Sequence, residues 1–194
     1  MQWRKASRPT GKVIITGTGR AGTTLLMRIF IRLGLPTGFT VADIAAVEQM
    51  TGRAGLECDF SGLDFRNLPE IVKSPYLSDL LHDALQQNQI VVDQIIVPIR
   101  DLDQATNSRV RVSARAREKG ADPLDVAGGM WETTDPEQQK NVLAQKVYAL
   151  TQTATQNRIP IVFLSFPDFA RDVAYFVETL GPFLKKRYAI SQKQ

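Results

Sequence analysis

The sequence predicts an α/β fold in three layers, a parallel sheet flanked by helices on both faces. Two features carry the prediction. Short runs rich in β-branched residues recur at residues 13–16, 70–73, 94–99 and 161–164, of the length and composition of buried strands. The longer stretches between them place apolar residues at helical spacing. Strands that alternate with helices build crossover units, and such units cover both faces of a parallel sheet.

Val13, Ile14 and Ile15 make the first strand. Leu25, Leu26, Ile29, Phe30 and Leu33 give the first helix one apolar side, and Gly34 stops it. The stretch from Leu35 to Pro69 is weakly patterned, with a short helix at residues 41–50, and reads as a cover on the substrate side. After the second strand, Leu77, Leu80, Leu81, Ala84 and Leu85 form the apolar side of a helix at 78–87. The third strand contains Pro98, which donates no ladder hydrogen bond and so marks a bulge or the strand's end. A basic, mostly helical segment follows at 100–119, then a loop at 120–131. Thr134-Asp135-Pro136-Glu137 starts a helix that runs to about Gln156, with proline at the first turn and carboxylates near the N-terminus. The last helix carries Phe169, Val173, Phe176, Val177 and Leu180, with its stop at Gly181-Pro182.

The 194 residues suffice for one domain, assigned to 13–184, between a loose lead-in at 1–12 and a basic tail at 185–194. The chain is 43% apolar and 23% charged, the balance of a soluble globular protein. A net charge of +4 suits a polyanionic ligand but is too small to imply nucleic acid, and no aromatic residues interleave the basic run from Arg109 to Lys119. Cys58 is the only cysteine, which points to a reducing, cytoplasmic location. There is no apolar run of membrane-spanning length and no signal-peptide pattern, so no membrane partner is expected.

The chemistry concentrates where the first strand meets the first helix. The glycine-rich turn Gly17-Thr18-Gly19-Arg20-Ala21-Gly22-Thr23-Thr24 joins them. Amides of the first helical turn lack intrahelical partners, and the helix dipole favours an anion there. Gly17-x-Gly19-x-x-Gly22 matches a dinucleotide fingerprint, which is weak alone. Gly17-x-x-x-x-Gly22-Thr23-Thr24 matches a Walker A loop except that Thr23 replaces the lysine that reaches the terminal phosphates, which argues against ordinary ATP or GTP use.

Gly19-Arg20-Ala21-Gly22-Thr23-Thr24-Leu25-Leu26 also resembles the 5′-phosphosulfate loop of the sulfotransferases that use 3′-phosphoadenosine 5′-phosphosulfate (PAPS). Ile96-Val97-Pro98-Ile99-Arg100-Asp101, with Ser108 eight residues after the arginine, resembles that family's 3′-phosphate segment. Ile161-Val162-Phe163-Leu164-Ser165-Phe166-Pro167-Asp168 resembles its late strand and turn. The resemblance covers most of the chain, from Val13 to about Leu184, and implies a P-loop-type fold and a PAPS-dependent sulfotransferase without a metal. The family's C-terminal glycine- and lysine/arginine-rich closing loop has no counterpart in this sequence.

The resemblance assigns Gly19, Arg20, Ala21, Gly22, Thr23, Thr24, Arg100 and Ser108 to the nucleotide, with Arg100 and Ser108 together on the 3′-phosphate. Sulfuryl transfer needs in-line placement of the acceptor and cations on the developing charge. Arg20 is the catalytic candidate at the leaving group, and Lys73, at the end of the second strand, the candidate beside the sulfate. Asp43, Glu48, Glu57 and Asp59 lie in the region from which some members take a catalytic carboxylate; Asp43 is nearest the expected spacing from the loop. His82, the only histidine, reads as a surface residue. Trp131, beside Gly128-Gly129, is either core or part of an acceptor pocket. Three other readings stay open: an atypical nucleotide kinase, a Rossmann oxidoreductase with Asp43 on a ribose, and a non-catalytic nucleotide-binding scaffold.

Overall fold

A computed structural model describes residues 11–48, 54–58, 65–122, 124 and 126–190. Four parallel strands form one sheet: β1 (Lys12–Ile15), β2 (Ile71–Lys73), β3 (Val92–Ile99) and β4 (Ile161–Ser165), in the order β2-β1-β3-β4. Seven helices accompany them: α1 (Thr23–Arg32), α2 (Val41–Glu48), α3 (Leu77–Gln86), α4 (Leu102–Glu118), α5 (Pro136–Gln156), α6 (Asp168–Arg171) and α7 (Val173–Tyr188). Among the described residues no helix is long and apolar enough to cross a membrane.

Alternation along β1 divides the core. Val13 and Ile15 pack with α1, α2, α6 and α7, whereas Ile14 packs with α3 and α5 on the opposite face. α4 lies beside α5. The three-layer arrangement is therefore the one the alternating pattern predicts. After β2 the chain crosses β1 to place β3 on its other side, so the sheet's switch point lies between β1 and β3. The crevice outside the carboxyl ends of those strands is where open α/β sheets place ligands.

The first helix ends as its sequence indicates: Gly34 has φ 69°, and the Leu35 N–H reaches back to the Phe30 carbonyl at 3.0 Å. Asp135 caps α5 by accepting from the Glu137 N–H at 2.9 Å.

Two elements depart from expectation. β3 runs straight through Pro98, which sits opposite Leu164 in the β4 register. The Ile96 carbonyl accepts from the Thr16 N–H, so Ile96 faces β1, and Pro98, two residues on, faces the same way beyond the end of β1. No ladder bond is lost there. α7 likewise continues through Gly181-Pro182 to Tyr188, so that Lys185, Lys186 and Arg187 belong to its last turn. Leu180 and Leu184 are buried one turn apart on either side of Pro182. Arg187 anchors the far end, donating to Glu70 (2.9 Å), Asp93 (2.9 Å) and the Gly11 carbonyl (2.6 Å). Packing and this clamp outweigh the local helix-stop signal.

The short helix read at 41–50 is α2, which ends at Glu48; residues 49–53 and 59–64, including Asp59, lie outside the described residues, as do 1–10 and 191–194.

Candidate functional site

A cavity of about 450 Å³ opens at the carboxyl ends of β1 and β3. Its polar side is the glycine turn: Gly19, Arg20, Gly22, Thr23 and Thr24 all line it. Arg20 itself sits in the left-handed region at φ 54°. Two glycines have steric reasons to be glycine. A Cβ on Gly22 (φ 88°) would stand 2.6 Å from the Phe166 ring and 2.9 Å from Phe169. A Cβ on Gly19 (φ 63°) would stand 2.7 Å from Arg109 Nη2. The absent side chains thus make room for Arg109 and Phe166, which themselves line the cavity, and for Phe169. Ala21 is fully buried and is not among the cavity's lining residues, so only its main chain is available to a ligand.

Arginines gather at this turn. Arg100, at the end of β3, lines the cavity and donates from Nη1 to the Arg20 carbonyl at 3.1 Å. Its guanidinium also faces Gln104 Oε1 at 3.4 Å and lies 5.2 Å from the centre of the Phe166 ring. Arg20 Nε donates to Ser108 Oγ at 3.0 Å. Ser108 therefore joins Arg20, not Arg100 as the sequence suggested: it lies on the buried side of α4 with Ala105, Arg109 and Val112, while Arg100 precedes the helix. Burial lowers the Arg20 pKa, and Arg100 and Arg111 lower it further by repulsion. Arg109 is pushed down to about 10, first by burial and then by Arg20. Among the described residues no carboxylate forms an ion pair with Arg100 or Arg109.

At the other end of the turn stands Lys73. It is 1% exposed and is not among the cavity's lining residues, so it is no solvated strand-end lysine and stands behind Thr24 and Glu57, which do line it. Its Nζ donates to Thr24 Oγ1 (3.1 Å), the Gly55 carbonyl (2.6 Å) and Glu57 Oε1 (2.5 Å). Burial draws its pKa below the ordinary lysine value while Glu57 opposes the shift. Glu57 also lines the cavity.

Asp43 is not brought to this site. Its carboxylate turns back on Thr40, accepting from the N–H at 2.7 Å and the hydroxyl at 2.8 Å. These bonds hold its pKa below the usual carboxylate value. It serves the first turn of α2 as half of a capping box. Glu48 pairs with Arg28, and His82 is exposed. Glu57 is the carboxylate of this region that reaches the cavity.

Pro75, Tyr76, Met130 and Trp131 contribute a less polar wall opposite the turn. Trp131 is held by several contacts. Its N–H donates to Gln139 at 2.7 Å, its ring lies 5.3 Å from the Arg109 guanidinium and 5.0 Å from Lys146 Nζ, and Tyr76 meets it edge-on at 6.0 Å. It is both a packing anchor and part of the wall.

Sequence reasoning misplaced one site residue and did not single out another. Arg109 was grouped with a solvated basic run, but it is 4% exposed. Its helical register gave a signal, because Ala105 and Val112 share its side of α4. Glu57 was named with Asp43, Glu48 and Asp59 but not chosen among them, since its place depends on the irregular segment crossing the end of β2, where the Cys58 N–H meets the Lys73 carbonyl.

No family model, no curated protein and no solved structure matches this chain.

Proposed function

We propose that the chain is a PAPS-dependent sulfotransferase, moving a sulfuryl group to a hydroxyl or amine. The observation that carries the reading is the arginine cluster at the β1–β3 switch point. Arg20, Arg100 and Arg109 crowd around the glycine turn, and no described carboxylate pairs with Arg100 or Arg109. Uncompensated cations in a partly buried site are costly unless an anion accompanies them. Lys73, whose charge is paired with Glu57, backs the Thr24 end of the turn.

In this reading Thr23, Thr24 and Lys73 hold the 5′-phosphosulfate end, Arg20, set by Ser108, stands at the leaving group, and Arg100 holds the 3′-phosphate. As the acceptor attacks sulfur, the bond from sulfur to the bridging oxygen breaks and that oxygen gains charge. Lys73 and Arg20 stabilise this charge. The acceptor's proton passes to the Glu57 carboxylate, the acid/base candidate at the cavity. The less polar wall of Tyr76, Met130 and Trp131 receives the acceptor.

Calorimetric titration with adenosine 3′,5′-bisphosphate, 5′-AMP, NAD and ATP with and without magnesium tests the reading. Tightest binding of the bisphosphate, without magnesium, is expected. Clear preference for ATP overturns it. One observation favours a second reading, an atypical nucleotide kinase: Lys73 returns an ammonium to the first turn of α1, where Thr23 displaced the expected lysine. Magnesium-dependent ATP binding would select that reading.

A further inference from the structure

Arg109 is the one member of its basic run that turns inward; Arg111, Arg115 and Arg117 are exposed. Its guanidinium occupies the notch left by the missing side chain of Gly19. From there Nη2 donates to the Thr18 carbonyl at 2.5 Å and Nη1 to the Gly129 carbonyl, while Nε is buried with no partner among the described residues. A buried arginine without a carboxylate is expensive, so its position calls for a role.

The peptide plane supplies one. In a trans peptide the carbonyl and the following N–H point to opposite sides. With the Thr18 oxygen held by Arg109, the Gly19 N–H must point away from that guanidinium. Arg100 does the same one peptide later but one, holding the Arg20 oxygen and so setting the Ala21 N–H. No described main-chain carbonyl accepts from the Gly19 or Ala21 N–H.

We propose that Arg109, which itself lines the cavity, is a positioning residue for the turn: by holding the Thr18 carbonyl it fixes the orientation in which the Gly19 N–H meets an anion. It also ties the turn to Gly129, so the turn and residues 126–131 keep one relative placement. The proposal rests on the cavity being a phosphate site, not on which nucleotide fills it.

The test is a double-substitution cycle on the full chain with Arg109→Met and Gly19→Ala, titrated with adenosine 3′,5′-bisphosphate and with ATP. Arg109→Met should weaken the preferred nucleotide by about tenfold or more while the far-UV circular dichroism is kept. Gly19→Ala drives a methyl into the guanidinium's place, so adding Arg109→Met to it should cost at most about twofold to threefold more, the mark of coupled sites. In wild type, the Gly19 amide resonance should shift on nucleotide addition, and Arg109→Met should remove that shift. Additive losses, or an unshifted Gly19 amide, overturn the proposal. If Arg109→Met fails to fold, Gly19→Ala alone decides, because unchanged nucleotide affinity in it overturns the proposal equally. Wild-type preference for ATP would sink the sulfuryl-transfer reading and leave this one standing; failure of wild type to bind either nucleotide would sink both.

Discussion

Lys73 Nζ lies 3.1 Å from Thr24 Oγ1, so a cation carried by β2 meets the first turn of α1. In the proposed anion site this contact predicts a pH dependence of binding. Burial depresses the Lys73 pKa below 10.5, and only the protonated form attracts a phosphate. Bisphosphate affinity should therefore fall as pH rises through the depressed value. Stability has the opposite sign. In the window between the depressed value and the unfolded value near 10.5, the unfolded chain binds the Lys73 proton more tightly, so this group's contribution to stability rises with pH. Burial and Arg20 also lower the Arg109 pKa, to about 10. Comparison with Lys73→Met isolates the lysine: titrations from neutral pH to about pH 10 should show a steeper loss of affinity in wild type. Identical slopes would remove Lys73 from the anion site.

Gly22 is held to glycine by Phe166 and Phe169, so its substitution reports on packing before binding. Gly22→Ala keeps φ 88° and pushes a methyl against the Phe166 ring. The backbone strain alone is worth about 1–3 kcal/mol. Urea denaturation should show a lower midpoint, and Phe166→Leu should cost less in the Gly22→Ala background than in wild type, because the leucine lacks the clashing ring edge. An unchanged midpoint for Gly22→Ala would mean that the turn adapts and the packing argument fails.

Much of this site was legible in the sequence because it depends on local rules. The glycine turn, the helix it opens, Gly34 and Asp135 all act within a few residues of themselves, and each behaves as its residue type dictates. Arg100 lines the cavity, as its place directly after the end of β3 suggested. The failures depend on distant contacts. Pro98 is acceptable only because β1 ends two residues short of it. Pro182 stays helical because Arg187 finds Glu70 and Asp93 at the start of β2 and β3. Asp43 had the right spacing, but Thr40 was a closer partner. Glu57 reaches Lys73 through a segment with no periodicity to read.

Glu57→Gln separates the two roles open to that carboxylate. Its Oε1 holds the buried Lys73 ammonium at 2.5 Å. Loss of the charge should destabilise the fold by less than the roughly 3–5 kcal/mol of a fully buried pair, because the Glu57 side chain is 31% exposed and solvent screens it. Transfer of radiolabelled sulfate from PAPS to a panel of alcohols and amines should fall by about 10²–10⁴-fold if Glu57 takes the acceptor's proton. Bisphosphate affinity should not fall, since a negative charge leaves the cavity. Equal loss of turnover and affinity would make Glu57 only the partner of Lys73.

Arg100→Ala tests the assignment of the 3′-phosphate. The guanidinium is in place before any ligand arrives: the Arg20 carbonyl holds Nη1, Gln104 faces its other edge, and Phe166 lies beneath it. None of these partners is a carboxylate, so a phosphate oxygen meets a cation that has not been neutralised. The substitution removes a charge-assisted contact worth about 1.5–3 kcal/mol, or roughly ten- to a hundredfold in affinity. Adenosine 3′,5′-bisphosphate should lose that factor, whereas 5′-AMP, which lacks the 3′-phosphate, should barely change. The carbonyl contact gives a way to tell direct from indirect action. If Arg100 matters chiefly by holding Arg20, both nucleotides should weaken together, because the whole turn would shift. Loss confined to the bisphosphate places the guanidinium on the 3′-phosphate. Failure of wild type to distinguish the two nucleotides would remove the 3′-phosphate site, and with it the feature that separates sulfuryl transfer from the kinase reading.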